Sequence, residues 1–318
     1  MAKTLMKNIS LAKPGVEIET LADGAMILRS PVSLATYPSS QSAWIEKWAE
    51  KSPDKVFVAD RTGPRGGWRK ITYGELNLKI RAIGQALLNR GLSVDRPVAL
   101  ISDNSVDNAL LIYGSMHVGI PVVPISPAYS LMSRDFGKLK LITDLVKPGL
   151  VFAEDGAKYA NALAAVDFKD AEIVISRHIP DGNQVTEFAT LPSTELKDEV
   201  DQAANKVTPD TIAKILFTSG STGQPKGVIN TQRMLCSNQV AISQVWTFLN
   251  ERPPVTVDWL PWNHTFGGNH NLNMILRNGG TMYVDSGKPA PGMIEQTVAN
   301  LKEISPTIYY NVPRGYDM

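Results

Sequence analysis

The run Thr218-Ser219-Gly220-Ser221-Thr222-Gly223-Gln224-Pro225-Lys226-Gly227 gathers, within ten residues, groups suited to holding phosphate. Its glycines let the backbone approach a ligand closely and adopt φ > 0. Successive N–H groups in such a loop form a concavity that binds anions. The hydroxyls of Thr218, Ser219, Ser221 and Thr222 add donors, and Lys226 adds a point charge suited to phosphate. An apolar, strand-type run, Ala213-Lys214-Ile215-Leu216-Phe217, precedes the loop, and Val228-Ile229 leads from it into a long helical pattern. That position, between a strand and a helix, argues against a flexible Gly/Ser linker. It is also not a Walker A loop, because Pro225 precedes the lysine and Gly227, not Ser or Thr, follows it.

A second chemically dense segment is Pro261-Trp262-Asn263-His264-Thr265-Phe266-Gly267-Gly268-Asn269-His270-Asn271. It follows the strand-like run Val255–Leu260. In open α/β sheets, ligands bind outside the carboxyl ends of strands, so this segment and the loop can face one crevice. The plainer reading has His264 cap the following helix while Trp262 and Phe266 fill the core. A metal pair of His264 and His270 is disfavoured, because no acidic or cysteine ligand lies near.

The elements that position these segments form a regular order. Ser42 to Lys51 is a short amphipathic helix with Trp44 and Trp48 on one face. Val56 to Ala59 and Trp68 to Ile71 are strands joined through a Gly/Pro turn. Thr72 and Glu75 form a capping box for a helix that runs to about Asn89, with Gly91 as terminator. Strands at 97–101, 121–125, 150–153 and 172–175 then alternate with helices at 106–118, 132–146 and 157–165. This is the pattern of a parallel sheet covered on both faces. Residues 176–207 read as an irregular connection. Beyond the loop come helix 231–249, strand 255–260, helix 269–277 closed by Asn278-Gly279-Gly280, strand 281–284, helix 293–304 and a last strand, 307–310.

With 318 residues, 43% of them hydrophobic, the chain can bury a sizeable core. Its 32 basic and 31 acidic residues balance, and no basic tract marks nucleic acid as a partner. Cys236 is the sole cysteine, which excludes an internal disulfide and fits a reducing cytoplasm. The uncharged tract Asn108 to Ser133 reads as buried helix, turn and strand rather than a transmembrane segment, because glycines and prolines interrupt it.

The loop meets the pattern Ser/Thr-Ser-Gly-Ser/Thr-Thr-Gly-x-Pro-Lys-Gly at every position. In this it resembles the phosphate loop of the acyl-adenylate-forming enzymes, the superfamily of acyl-CoA synthetases, luciferases and peptide-synthetase adenylation domains. His264 matches the histidine of the family's Pro-x-x-His pattern. The run Asn263 to Asn271, Asn278-Gly279-Gly280-Thr281-Met282-Tyr283 and Tyr309-Tyr310-Asn311-Val312-Pro313-Arg314-Gly315 look closest to the bacterial feruloyl-CoA synthetase branch. The resemblance implies an α/β fold, the N-terminal large domain of that superfamily, with stacked, mostly parallel sheets covered by helices. It implies ATP and coenzyme A as substrates, a hydroxycinnamate-type carboxylic acid, and Mg²⁺. Thr218, Ser219, Gly220, Ser221, Thr222 and Gly223 would cradle the β- and γ-phosphates with Lys226 as counter-charge, and the Thr222 hydroxyl would contact Mg²⁺. His264 would orient the acid, in a pocket bounded by Trp262, Phe266 and Gly267.

Motifs that the family carries further along have no counterpart here: the Tyr-Gly-x-Thr-Glu and Thr-Gly-Asp runs, and the small C-terminal domain. The chain is therefore expected to be the front part of a longer ligase. On that expectation, residues 1–40 are an extended arm, 41–207 a first α/β part, and 208–318 the phosphate-loop and acyl-pocket part. Competing readings keep the superfamily with another aryl or fatty acid, or take the chain as a non-catalytic nucleotide- or acyl-binding fragment.

Overall fold

The computed structural model describes residues 9–63, 66–181, 185–218 and 224–318. In chain order the strands are β1 (Glu17–Thr20), β2 (Met26–Arg29), β3 (Val56–Arg61), β4 (Trp68–Thr72), β5 (Val98–Leu100) and β6 (Val122–Pro124). There follow β7 (Leu150–Asp155), β8 (Glu172–Arg177), β9 (Thr186–Glu187), β10 (Ile212–Thr218), β11 (Lys226–Thr231), β12 (Val255–Asp258) and β13 (Thr281–Val284). β1 and β2 pair as an antiparallel hairpin within the N-terminal arm.

Two sheets carry the rest. The larger has the order β11-β10-β6-β5-β7-β8-β9, parallel except for β11 at its edge. The smaller has the order β12-β13-β3-β4, parallel except for β4. Alternation along the central strands explains the layering. Val98, Leu100, Leu150 and Phe152 enter one core, while Ala99, Ile101, Val151 and Ala153 enter a second core with Leu139 and Ile142 of helix Gly137–Val146. The first core also takes Phe57, Val58 and Ile71 from the smaller sheet and the apolar face of helix Tyr73–Asn89.

Helix Val106–His117 is buried at every position, which is why its sequence is apolar nearly all round. It leads through a turn to β6, and among the described residues no helix is long and apolar enough to cross a membrane. The capping box is present: the Glu75 N–H donates to Thr72 Oγ1 (3.2 Å), and the Thr72 N–H donates to Glu75 Oε2 (2.8 Å). Arg69 of β4 ties the smaller sheet to helix Val106–His117. Its guanidinium donates to both oxygens of Asp60 (2.9 and 2.6 Å) and to both oxygens of Asp107 (3.0 Å each).

Four expectations change. The segment after the loop, Lys226–Thr231, is a strand antiparallel to β10, so the loop joins two strands; the helix then begins at Gln232 with Thr231 as its N-cap, close to its expected start, and ends at Val245 rather than 249. The stretch 176–207 is not irregular throughout: it holds β9, a 3₁₀ turn Phe188–Ser193 and helix Asp198–Asn205, whose Val200 is buried. One buried side chain, with Ala203 partly buried beside it, gives an acidic helix almost no periodicity to read. The helix expected from 132 begins at Gly137, because the Ser133 and Asp135 side chains accept from the Phe136 and Gly137 N–H groups and hold a turn instead. Residues 307–310 form no strand. The Thr307 and Ile308 N–H groups both donate to the Val255 carbonyl, so no ladder propagates.

Gly114 lies where helix Val106–His117 meets helix Tyr73–Asn89, and a Cβ there would sit 2.6 Å from Ile83 Cγ2 and 3.2 Å from the Ile80 carbonyl oxygen. Ala at a helical position gains roughly 1 kcal/mol over Gly. Overpacking against a branched, buried side chain and a backbone carbonyl costs about 1–3 kcal/mol. Gly114→Ala is therefore expected to destabilise the chain, read as a lower urea midpoint at unchanged slope; a midpoint equal to or above the parent would refute this packing account.

Candidate active site

The site builds up from the carboxyl ends of strands in both sheets. β10 ends at Thr218, and β11 returns from Lys226; the two residues are paired in register, and both are exposed. Ser219, Gly220, Ser221, Thr222 and Gly223 lie outside the described residues. The flanks thus bring the hydroxyl-bearing and cationic ends of the loop side by side.

β12 ends at Asp258 and leads to the turn that carries His264. The turn is clamped from the larger sheet. Asn104, just past β5, donates through Nδ2 to the Leu260 carbonyl (2.9 Å), and its Oδ1 accepts from the Trp262 N–H (3.0 Å). After the turn the chain enters a π-helix, Thr265–Leu272, which continues as α-helix Asn273–Arg277. His264 is its N-cap: Nδ1 accepts from the Phe266 N–H (3.2 Å). A neutral ring that accepts at Nδ1 carries its proton on Nε2, so the exposed side of the imidazole presents a donor. The capping role and a role toward an anionic ligand are therefore compatible.

Gly267 and Gly268 are buried in the first turn of the π-helix. A Cβ on Gly267 would collide with the Leu260 and Pro261 carbonyl oxygens, and one on Gly268 with the Trp262 carbonyl oxygen. Trp262 is buried at 2% exposure, within the core. Phe266 is half-buried and belongs to an aromatic group that sequence reasoning did not assemble. Its ring centroid lies 5.6 Å from His270 and 6.0 Å from Tyr310. His270 is in turn 5.6 Å from Trp246 and 5.3 Å from Tyr310, edge-on to both. Trp246 comes from the end of the long helix Gln232–Val245 and Tyr310 from beyond helix Ile294–Ile304, so only the fold brings them together.

Between the carboxyl ends of the two sheets lies a cleft of about 230 Å³, lined by Asp60 and Asp285 from one side and Asn104, Glu154 and Arg177 from the other. Burial pushes the Glu154 carboxyl up to about 7, although Arg177 stands 3.1 Å away. Burial also pushes Asp258 up to about 7, against the pull of the Leu260 N–H (2.9 Å) and the Asn271 amide (2.6 Å). Through Asn271, Asp258 fixes the far end of the π-helix. Asn104 is the residue a sequence reading passes over, since an Asn after a strand is ordinarily a turn former.

Residues 45–318 match the family described as AMP-binding enzyme. Among curated proteins, the chain is 26% identical over 258 residues to a 3-[(3aS,4S,7aS)-7a-methyl-1,5-dioxo-octahydro-1H-inden-4-yl]propanoyl:CoA ligase of Rhodococcus jostii, covering 77% of this chain and 47% of that protein. The chain thus spans about half the length of that relative. Among solved structures, a long-chain-fatty-acid-CoA ligase of Archaeoglobus fulgidus superposes with a TM-score of 0.71 at 21% identity, over 89% of this chain and 54% of that one. A fatty acyl-adenylate ligase of L. pneumophila, solved with acyl adenylate and pyrophosphate, superposes with a TM-score of 0.61 at 21% identity, over 85% and 44%. With a match across most of its length and sheets arranged as in the N-terminal domain of adenylate-forming enzymes, the chain belongs to the AMP-binding enzyme family.

Proposed function

We propose that this chain holds ATP and a carboxylic acid for adenylation in an acid–thiol ligase, with a hydroxycinnamate such as ferulate as the acid. The observation that carries the reading is the pairing of Thr218 with Lys226 at the mouth of the glycine- and hydroxyl-rich loop, with the His264 turn also at a strand's carboxyl end. The Rhodococcus relative is a CoA ligase by name, and the L. pneumophila enzyme was captured with an acyl adenylate.

The nucleophile is a carboxylate, ionised at neutral pH, so no base is required. One carboxylate oxygen attacks the α-phosphorus, the bond from phosphorus to the bridging oxygen breaks, and pyrophosphate leaves with the electron pair. The difficulty is bringing two anions together, so the protein's work is positioning and charge stabilisation. His264 donates from Nε2 to the carboxylate and sets its approach. Lys226, with the loop, offsets the charge of the phosphates. In the second step the thiol of coenzyme A loses its proton to solvent, its sulfur attacks the acyl carbon, and the bond from that carbon to the phosphate oxygen breaks, so that AMP leaves with the electron pair. Thr222, the residue matched to Mg²⁺, lies outside the described residues, and among those no cluster of three or more His, Cys, Asp or Glu gathers as a metal site. The half-buried rings of Phe266, His270, Trp246 and Tyr310 suit a flat, aromatic acid.

In the protein purified from its own source, pyrophosphate exchange is expected with ferulate and 4-coumarate, and weakly with benzoate and octanoate. Octanoate turnover equal to that of ferulate would remove the aromatic assignment. His264→Ala is expected to lower kcat/KM for the acid by about 10- to 100-fold while leaving the KM for ATP within about threefold. Lys226→Ala should show the opposite split, with the KM for ATP raised most. The same pattern from both variants would contradict separate roles for the two residues.

A further inference from the structure

In the N-terminal arm, apolar residues recur at even-numbered positions through the hairpin and its flanks: Val16 and Ile18, Met26 and Leu28, Val32 and Leu34. Residues opposite one another in an antiparallel pair put their side chains on the same face. Ile18 pairs with Leu28 and Thr20 with Met26, so these four share one face. The other face carries Glu17, Glu19, Ile27 and Arg29, with Arg29 and Glu19 joined as an ion pair.

The hairpin is tied to the body at its two feet. Before it, the Ala12 N–H donates to the Val245 carbonyl (2.9 Å), and the Phe248 N–H donates to the Ser10 carbonyl (3.1 Å). After it, the Ala35 N–H donates to Gln244 Oε1 (2.9 Å), and Gln244 Nε2 donates to the Ser33 carbonyl (3.0 Å). Both feet thus stand at the end of helix Gln232–Val245, and among the described residues the hydrogen bonds of 13–32 run only within the arm. The six apolar residues are 48% to 64% exposed. Their surface is on the order of 600 Å², the upper end of what a soluble monomer shows to water. A lone two-stranded hairpin is marginal in water unless its apolar face is packed.

We propose that this apolar face is a dimer interface, on which a second copy of the chain stacks its own hairpin about a two-fold axis. The match to the AMP-binding family begins at residue 45, so the hairpin lies outside the region that the family shares. Ile18, Thr20, Met26 and Leu28 carry no charge, so the face meets its own copy without like-charge repulsion, whereas the opposite face would set Glu17 and Glu19 against themselves. Stacking face to face follows the packing of one sheet on another and leaves the ion pair in water. Two such faces bury about 1,200 Å² in all, the low end for a specific interface, so the dimer is a weak one that dissociates on dilution. The inference does not depend on the ligase reading.

Sedimentation velocity over a dilution series tests it on the protein purified from its own source and on variants of that full chain. The parent is expected to dimerise at tens of micromolar, and Leu28→Glu to raise the dissociation constant about 30-fold or more. Because Leu28 lies outside both cores, the variant's melting temperature should stay within about 2 °C of the parent's. Should that variant fail to fold, cross-linking decides. Cys236, the sole cysteine, is buried, so a short bis-maleimide should join Leu28→Cys into dimers. Leu78→Cys, at an equally exposed leucine on helix Tyr73–Asn89, should remain uncoupled. A parent that stays monomeric at tens of micromolar, a dimer that Leu28→Glu does not weaken, or equal cross-linking of the two cysteine variants would overturn the interface. Exchange-protected amides at 26 and 28 in a monomer would show that another segment of the same chain covers the hairpin, and would overturn it too.

Discussion

The carbonyl oxygens of Leu260, Pro261 and Trp262 press against the first turn of the π-helix so closely that Gly267 and Gly268 have no room for a side chain. Much of the site follows from that contact. It folds the chain back on itself immediately after β12, so that His264 stands at a helix N-terminus with its Nδ1 engaged by the Phe266 N–H. It also turns the Gly268 carbonyl toward β10, where Lys214 reaches it. A side chain at either glycine would move the histidine, the strand contact and the aromatic group together, since all hang on one turn.

The turn is held from both sheets, and this is why the fold needs two. β12 delivers it from the smaller sheet, while Asn104 grips it from the end of β5 in the larger one. Arg69 then fixes the smaller sheet to the helix that follows Asn104, through Asp60 and Asp107. The Asp60 carboxylate also accepts from the Val106 N–H (2.8 Å), at the start of that helix. The ion pairs lie at the seam between layers, partly shielded from water, where charge-assisted bonds hold geometry better than they do on an open surface. Position at the site is thereby tied to the relation between sheets rather than to the stiffness of one loop.

Local signals in the sequence were the legible ones. The Thr72–Glu75 box, the helix Ser42–Lys51 and the strand at Thr281–Val284 are read from neighbours a few residues apart, and the structure has them where the pattern puts them. What failed to show depended on partners distant in the chain. Val228 and Ile229 read only as a lead into the helix from 231, yet both are exposed on an edge strand that only β10 defines. Trp246, His270 and Tyr310 come from three separate parts of the chain, and Asn104 reaches Leu260, 156 positions away. The helical start expected at Asn269 lies late, because the π-turn that opens at Thr265 has a different period from the one sought.

The two histidines of the 261–271 segment show how context divides residues that the sequence presents as alike. His264 uses one ring nitrogen on a backbone amide and leaves the other toward solvent. His270 has Nδ1 within 2.7 Å of Asn271 Oδ1 and is walled by three aromatic rings. Asn271 in turn donates to Asp258, so His270 is coupled through one amide to a buried carboxyl at the end of β12. A ring so enclosed packs as part of the aromatic group, whereas the imidazole of His264 is exposed. The two stand on one π-helix, His264 as its N-cap and His270 near its end, so the difference comes from what packs against each and not from the local sequence.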